Sequence, residues 1–329
     1  MEEGSESITK DRGTVCVTGA SGYLGSWLVK RLLERGYRVR GTVRDLENPA
    51  KTAHLLRLVG AKERLQLVKA GLLDERSFDA AFSGCEGVFH TASPVMFEAD
   101  NPQAQVIEPA VTGTLNVLKA CANNPTVHRV VMTSSTSTLR YPEIELSNQV
   151  LDESNWSSVE LCTSLKHWYA VSKTLAEQAA WKFSEEKKYT FISIIPSTIL
   201  GPILSSNIVT SAKDILAILK GDALVARRYL RMGYVHIDDV ASAHILAYEK
   251  QEANGRYMCS AFDMADYELE EFLQNRYPNY KVPISIPRNI KPPFAGLSSI
   301  KIQKLGLQFK GLEEMFDDVV RSFTEIGVL

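Results

Sequence analysis

Through the first half of the chain, short apolar and β-branched runs alternate with longer stretches whose apolar positions recur at helical spacing. Thr14-Val15-Cys16-Val17-Thr18 reads as a strand. Residues 25–35 place Trp27, Leu28, Leu32 and Leu33 in a helical pattern, and Gly36 supplies the left-handed residue that commonly ends a helix. A strand over 39–43, a helix around 51–58 and a strand at Leu65–Lys69 follow, with further strands at Gly87–His90, 130–133 and 191–195. Strands separated by helices imply right-handed crossovers and a parallel sheet covered on both faces. The predicted fold is therefore α/β, a doubly wound parallel (Rossmann) sheet. Beyond Pro196 the pattern loosens, punctuated by Gly201-Pro202, Ser205-Ser206, Pro283, Pro287 and Pro292-Pro293, with helical stretches left at 239–249 and 313–324. This predicts a frayed terminus over 1–13 and a nucleotide-binding unit over 14–196 that also carries the catalytic residues. A smaller, irregular lobe over 197–329 mainly binds substrate, with some chain returning to the first unit.

Composition narrows the classes. The 329 residues are 45% hydrophobic and 23% charged, an ordinary globular balance. A formal net charge of −2 gives no electrostatic ground for nucleic acid or an anionic membrane as partner. The polar start MEEGSESITKDRG lacks the apolar core of a secretory signal, and apolar runs such as 191–195 are too short to span a bilayer. Cys16, Cys85, Cys121, Cys162 and Cys259 are scattered without metal-ligand spacing. Reduced thiols, no metal and a cytoplasmic location are the expectations.

The stretch Thr18-Gly19-Ala20-Ser21-Gly22-Tyr23-Leu24-Gly25 joins the first strand to its helix with G-x-x-G-x-x-G spacing. Gly19 permits a tight turn, Gly22 lets backbone approach a pyrophosphate, and Gly25 allows close helix–sheet packing. The helix start offers free N–H donors and a positive dipole to phosphate. At the end of the second strand, Arg44 and the later Lys51 suit a ribose 2′-phosphate, while Asp45 is the counter-signal for NAD. The cofactor expected is NADP(H).

Tyr169-Ala170-Val171-Ser172-Lys173 puts a phenol and an ammonium one helical turn apart. A nearby ammonium favours the phenolate, so Lys173 is expected to lower the Tyr169 pKa from its usual value of about 10. Tyr169 would then give its proton to a carbonyl oxygen as hydride arrives from a nicotinamide. Upstream, Val130-Val131-Met132-Thr133-Ser134-Ser135 ends a strand at the sheet's carboxyl edge, where a hydroxyl can bond the substrate oxygen. Sequence physics alone leaves Ser134, Ser135 and Ser137 as alternatives.

Together these residues resemble the extended short-chain dehydrogenase/reductases of the plant dihydroflavonol reductase and cinnamoyl-CoA reductase group. Val15 through Gly22, Thr42-Val43-Arg44, Phe89-His90-Thr91-Ala92-Ser93-Pro94, Leu151-Asp152-Glu153-Ser154, Tyr169 through Trp181 and Val235 through Ala241 carry the likeness, which runs from about residue 14 to the C-terminus. The resemblance implies Ser135 as the catalytic serine, Tyr169 as the acid, Lys173 on the nicotinamide ribose and Asn116 in a proton relay. It implies Arg44 and Lys51 on the 2′-phosphate, and Ser21, Leu72, Thr91, Ala92, Pro196 and Thr198 on the cofactor. It also implies that His236 orients the lobe junction and that Gly71 stands where the group usually has an Asp touching the adenine.

Departures bear on substrate. Lys166-His167-Trp168-Tyr169-Ala170-Val171-Ser172-Lys173 lacks the residues that flank the tyrosine in cinnamoyl-CoA reductases, and Arg140 replaces an Asn typical of dihydroflavonol reductases. The run from Thr133 to Tyr141 is more similar to tetraketide α-pyrone reductases, and Trp168 onward also resembles phenylacetaldehyde and vestitone reductases. Ser137, Arg140, His167, Trp168 and Tyr234, with Phe97 and Tyr229, are substrate-pocket candidates, and Arg140 either binds a polar substrate group or is solvated. The implied function is NADPH-dependent reduction of a ketone or aldehyde in plant specialised metabolism, by a monomer or weak dimer acting on a small carbonyl compound. Cinnamoyl-CoA or dihydroflavonol reductase proper, a nucleotide-sugar epimerase or dehydratase, and a catalytically silent nucleotide-binding scaffold are the alternatives.

Overall fold

A computed structural model describes residues 12–94, 99–143, 146–205, 208–226, 230–283 and 294–329. In chain order the strands are β1 (Thr14–Thr18), β2 (Arg38–Val43), β3 (Leu65–Lys69), β4 (Gly87–His90), β5 (Arg129–Thr133), β6 (Leu146–Leu151), β7 (Thr190–Pro196), β8 (Thr198–Leu200), β9 (Arg231–His236), β10 (Gly255–Cys259), β11 (Phe262–Ala265) and β12 (Phe294–Leu297). Seven of them form a parallel sheet in the order β10-β7-β5-β4-β1-β2-β3. The doubly wound fold expected from the alternating pattern is the one observed.

Both faces of that sheet are covered, which is why its strands read as continuous apolar runs. Along β1 the pleat sends Val15 and Val17 to one core and Cys16 to the other. The first core takes Leu28 and Leu32 from the helix Tyr23–Glu34, and the second takes Phe78, Phe82 and Leu118. That first helix begins two residues before the expected 25, because Gly22 takes an extended N-cap conformation. Gly36 closes it in the left-handed region at φ +87°.

The later chain divides its residues between two bodies. A mixed sheet, β11-β9-β8, builds the smaller lobe around Leu200, Ile215, Leu273, Phe316 and Phe323, whereas the parallel pair β12-β6 packs Phe294 and Leu151 against Ile195 and Met258 of the large sheet. Yet β10 pairs with β7 at the edge of the large sheet, and the helix Ile237–Glu249 puts Val240, Ala243 and Ala247 into the same core as Leu28. The five cysteines are buried free thiols. Among the described residues no helix is long and apolar enough to cross a membrane, and no group of side chains has the make-up of a metal centre.

Candidate active site

The sheet order reverses between β1 and β4, so the crevice beyond their carboxyl ends is the place where a doubly wound sheet binds ligand. The glycine turn sits there. Gly19 holds φ +66°, and a Cβ on it would lie 3.0 Å from the Ala92 backbone. Gly22 donates its N–H to the Gly19 carbonyl at 2.9 Å. A Cβ on Gly25 would come within 2.3 Å of the same carbonyl oxygen, so the helix can rest on its own turn only without a side chain there. The turn is tied to β2 by Gly19 N–H to Thr42 Oγ1 at 3.1 Å, and to β4 by Thr91 Oγ1 to the Thr18 carbonyl at 2.7 Å and Ala92 N–H to Thr18 Oγ1 at 3.2 Å. Ser21 is half-buried at its crest. The N–H groups of Tyr23 and Leu24 belong to the helix's first turn, where donors lack intrahelical acceptors. The Tyr23 phenol instead donates to the Gly201 carbonyl at 2.9 Å, linking the turn to the smaller lobe.

Just past β2, Arg44 is exposed and makes no ion pair among the described residues. Asp45 is occupied otherwise: its carboxylate accepts the Glu47 N–H at 3.0 Å in a local turn. Lys51 lies half-buried on the helix Pro49–Leu56, which Asn48 caps. At Gly71 an added Cβ would meet nothing within 4 Å. Leu72 packs against Gly113, and its carbonyl accepts the Asn116 amide at 2.9 Å, so Asn116 braces this turn. Pro196 ends β7, and Thr198 is half-buried on β8.

The helix Trp168–Ser184 carries Tyr169 and Lys173. Lys166 at φ +57° and a His167 N–H to Cys162 carbonyl bond of 2.8 Å turn the chain into it. The choice among the serines is made by packing. Ser134 is buried and donates to the Glu177 carboxylate at 2.6 Å, whereas the Ser135 hydroxyl hydrogen-bonds the Tyr169 phenol. Ser135 also caps the short turn Thr136–Thr138 by accepting the Ser137 N–H at 3.2 Å. Lys173 is buried, and Nζ donates to the Thr133 carbonyl at 3.0 Å.

One electrostatic expectation needs correcting. Burial raises the Tyr169 pKa, opposed only by the Ser135 hydrogen bond, so the phenol is not pulled down by its ammonium neighbour. Desolvation, which the spacing of charges along the sequence does not convey, decides the sign. The same burial lowers Lys173 to about 8, against the pull of Glu177. His90, at the end of β4, is pushed down to about 3 by burial and by the Lys173 charge, and stays neutral.

The substrate-pocket candidates fall on several elements. His167 is exposed and packs its ring on Tyr141 at 4.8 Å, and Trp168 is half-buried near Ile107 and Val171. Tyr234 is buried in the core of the smaller lobe, 5.8 Å from the Phe316 ring. Phe97 and Tyr229 lie outside the described residues. Arg140 is not a solvated loop side chain: it donates to the Arg231 carbonyl at 2.8 Å and lies over the Phe294 ring at 5.5 Å. His236 caps the helix Ile237–Glu249 by accepting the Asp238 N–H at 3.0 Å, and its other nitrogen lies 3.2 Å from Asp318. Sequence reasoning overlooked Glu177, whose only signal was its place four residues beyond Lys173, and Arg256, which pairs with it at 2.9 Å.

Comparison with known proteins places this geometry. Residues 15–259 match the model of the NAD dependent epimerase/dehydratase family. Tetraketide alpha-pyrone reductase 1 of Arabidopsis thaliana is 52% identical over 318 residues, covering 97% of each chain. The crystal structure of vestitone reductase from alfalfa (Medicago sativa L.) superimposes with a TM-score of 0.84 at 37% identity, covering 97% of this chain and 100% of that one. Yeast methylglyoxal/isovaleraldehyde reductase Gre2, solved in complex with NADPH, gives 0.84 at 27% identity, over 96% and 100%. The chain belongs to the NAD dependent epimerase/dehydratase family.

Proposed function

We propose that this family member is an NADP(H)-dependent short-chain reductase that converts a ketone or aldehyde of plant specialised metabolism, of polyketide, phenylpropanoid or flavonoid type, to the alcohol. The observation that carries the reading is the Ser135–Tyr169 hydroxyl pair on the turn above Lys173. The 52% identity to a tetraketide pyrone reductase over nearly the whole chain supports the substrate class, and likeness to NADPH-bound Gre2 supports the cofactor.

The residues fit a phosphorylated dinucleotide. Gly19, Gly22 and Gly25 leave a cradle that side chains would fill, with the first turn of the helix Tyr23–Glu34 behind it. Arg44 keeps its guanidinium uncommitted for a 2′-phosphate, with Lys51 nearby, while Asp45 is held in its own turn. Thr91, Ala92, Leu72, Pro196 and Thr198 complete the lining. Bound NADPH supplies the hydride.

The chain's own residues handle the oxygen and the proton. Ser135 and Tyr169 hydroxyls converge to hold the carbonyl oxygen, and their bonds strengthen as negative charge grows on it. Because burial keeps Tyr169 protonated at neutral pH, the phenol is loaded as a proton donor, the state that reduction needs. Lys173, charged below about pH 8, would hold the nicotinamide ribose. A cytoplasmic monomer or weak dimer completes the reading.

The test is NADPH oxidation by the purified protein against aromatic aldehydes, cinnamoyl thioesters, dihydroflavonols, isoflavanones and alkyl tetraketide pyrones. Turnover with a pyrone or other hydrophobic ketone is expected, falling on the order of 10²–10⁴-fold in Tyr169→Phe as the general acid is lost. NADPH binding without turnover of any carbonyl would sink the reading.

A further inference from the structure

Resting on the reductase reading, we infer that the buried pair Glu177–Arg256 is the positioning element of the active site, holding the Ser135 turn, the Tyr169 helix and the loop at 153–156 in register. Glu177 is fully buried two turns below Tyr169 and one below Lys173, on the same stripe of the helix. The bonds to its carboxylate come from the ends or edges of three strands and from its own helix. Ser134 donates from the end of β5 at 2.6 Å and Ser193 from β7 at 2.6 Å. Arg256 donates from β10 through Nε at 2.9 Å and one terminal nitrogen at 3.3 Å, and the Trp181 indole adds a contact at 3.4 Å.

The grip on Ser134 reaches the reacting group through one peptide unit: the next residue, Ser135, meets the Tyr169 phenol two turns up the same helix. Arg256 then locks the far side of the same turn. It donates to Thr138 Oγ1 at 3.0 Å, and to the Glu153 and Asn155 carbonyls at 2.7 Å each, beneath the Trp156 ring at 3.6 Å. One guanidinium therefore ties the turn Thr136–Thr138, the 153–156 loop and the catalytic helix together.

The pair also sets charge near Lys173. Burial alone would raise the Glu177 pKa, but Arg256 and the Ser134 and Ser193 hydroxyls hold it below the usual carboxylate range, so it stays ionised and favours the Lys173 ammonium. The other titratable groups about that ammonium are His90 from β4, kept neutral, and Tyr169 on the same helix, kept protonated; Arg256 stands behind Glu177. Glu177 is thus the anion that keeps Lys173 charged.

The experiment compares wild type, Glu177→Gln and the double variant Glu177→Leu/Arg256→Met with a carbonyl that wild type reduces. The double variant replaces the buried ions with apolar groups of similar size, so it folds even if the single one does not. The inference expects kcat to fall roughly 10²-fold in both, because the reacting groups lose register, with KM within about threefold. In Glu177→Gln the apparent pKa of the alkaline limb of kcat/KM should also drop by about one unit, a shift a merely structural role would not produce. A folded double variant with wild-type kcat, or Glu177→Gln with an unmoved pH profile, overturns the inference and leaves the reductase reading standing. A wild type silent toward every carbonyl overturns the reductase reading itself, and this inference with it.

Discussion

The two halves of the site are made of opposite materials. In the proposed reading, the nucleotide end works mainly through backbone, with a turn that tolerates no Cβ at Gly25 and helix-terminal N–H donors, joined by the exposed Arg44 side chain. At the catalytic end they are ionisable side chains sunk in the core, Lys173, Glu177 and Arg256, each under a tenth exposed. The first half relies on shape, which steric exclusion enforces residue by residue. The second relies on charges whose burial is tolerable only while every partner is in place. Damage at the nucleotide end should therefore stay local, whereas damage at the catalytic end should spread into stability and pH response.

Arg256→Met alone is the strongest way to break that contrast. It strands the Glu177 carboxylate in the core and should cost about 3–5 kcal/mol of unfolding free energy, read by chemical denaturation. A variant as stable as wild type would mean that the catalytic half does not depend on its ion pair. Next comes Lys173→Met, which should abolish turnover yet stabilise the fold at neutral pH. The sign follows from the lowered Lys173 pKa. Below about pH 8 the folded protein holds a buried ammonium at a cost, and between about 8 and the unfolded value of 10.5 that cost is relieved as the unfolded chain alone keeps the proton. The difference in stability between variant and wild type should amount to about 3 kcal/mol at pH 7 and shrink as pH rises through that window. A difference independent of pH would show that Lys173 is not the titrating group.

At the nucleotide end, Arg44→Ala should weaken NADPH binding by about 1.5–3 kcal/mol while leaving NADH affinity and thermal stability unchanged. Equal loss for both cofactors would place the guanidinium elsewhere than at a 2′-phosphate. The smallest effect is expected from Gly71→Asp. The position has room for a side chain, and an acid beside the adenine should tighten either cofactor by a few tenths to about 1 kcal/mol, measured by fluorescence titration.

The same contrast explains what could be read from sequence. Gly19, Gly22 and Gly25 fall within seven residues between a strand and a helix, so local order alone announces them. Tyr169 and Lys173 share one helical turn and were as visible. Glu177 and Arg256 lie 79 residues apart and meet only because β10 returns to the large sheet, a pairing that no local pattern encodes. Ser135 was singled out from Ser134 only through the family resemblance, since the physical distinction depends on a carboxylate from another element. The pKa of Tyr169 was misjudged because charge spacing is legible in sequence and burial is not. The surroundings of Tyr234 and Arg140 were out of reach as well: one packs into the smaller lobe's core, and the other is braced against β9 and β12.

The return of β10 also limits how such an enzyme can diversify. A recombination event that exchanged everything after Pro196 for the tail of a distant cousin would remove an edge strand of the parental sheet along with the pocket. It would survive only if the incoming segment brought its own counterpart of Gly255–Cys259, with an arginine in register to meet Glu177. New substrate ranges are therefore reached more readily through point changes and loop insertions around this strand than by swapping whole lobes. The piece that looks interchangeable carries one of the bolts of the piece that stays.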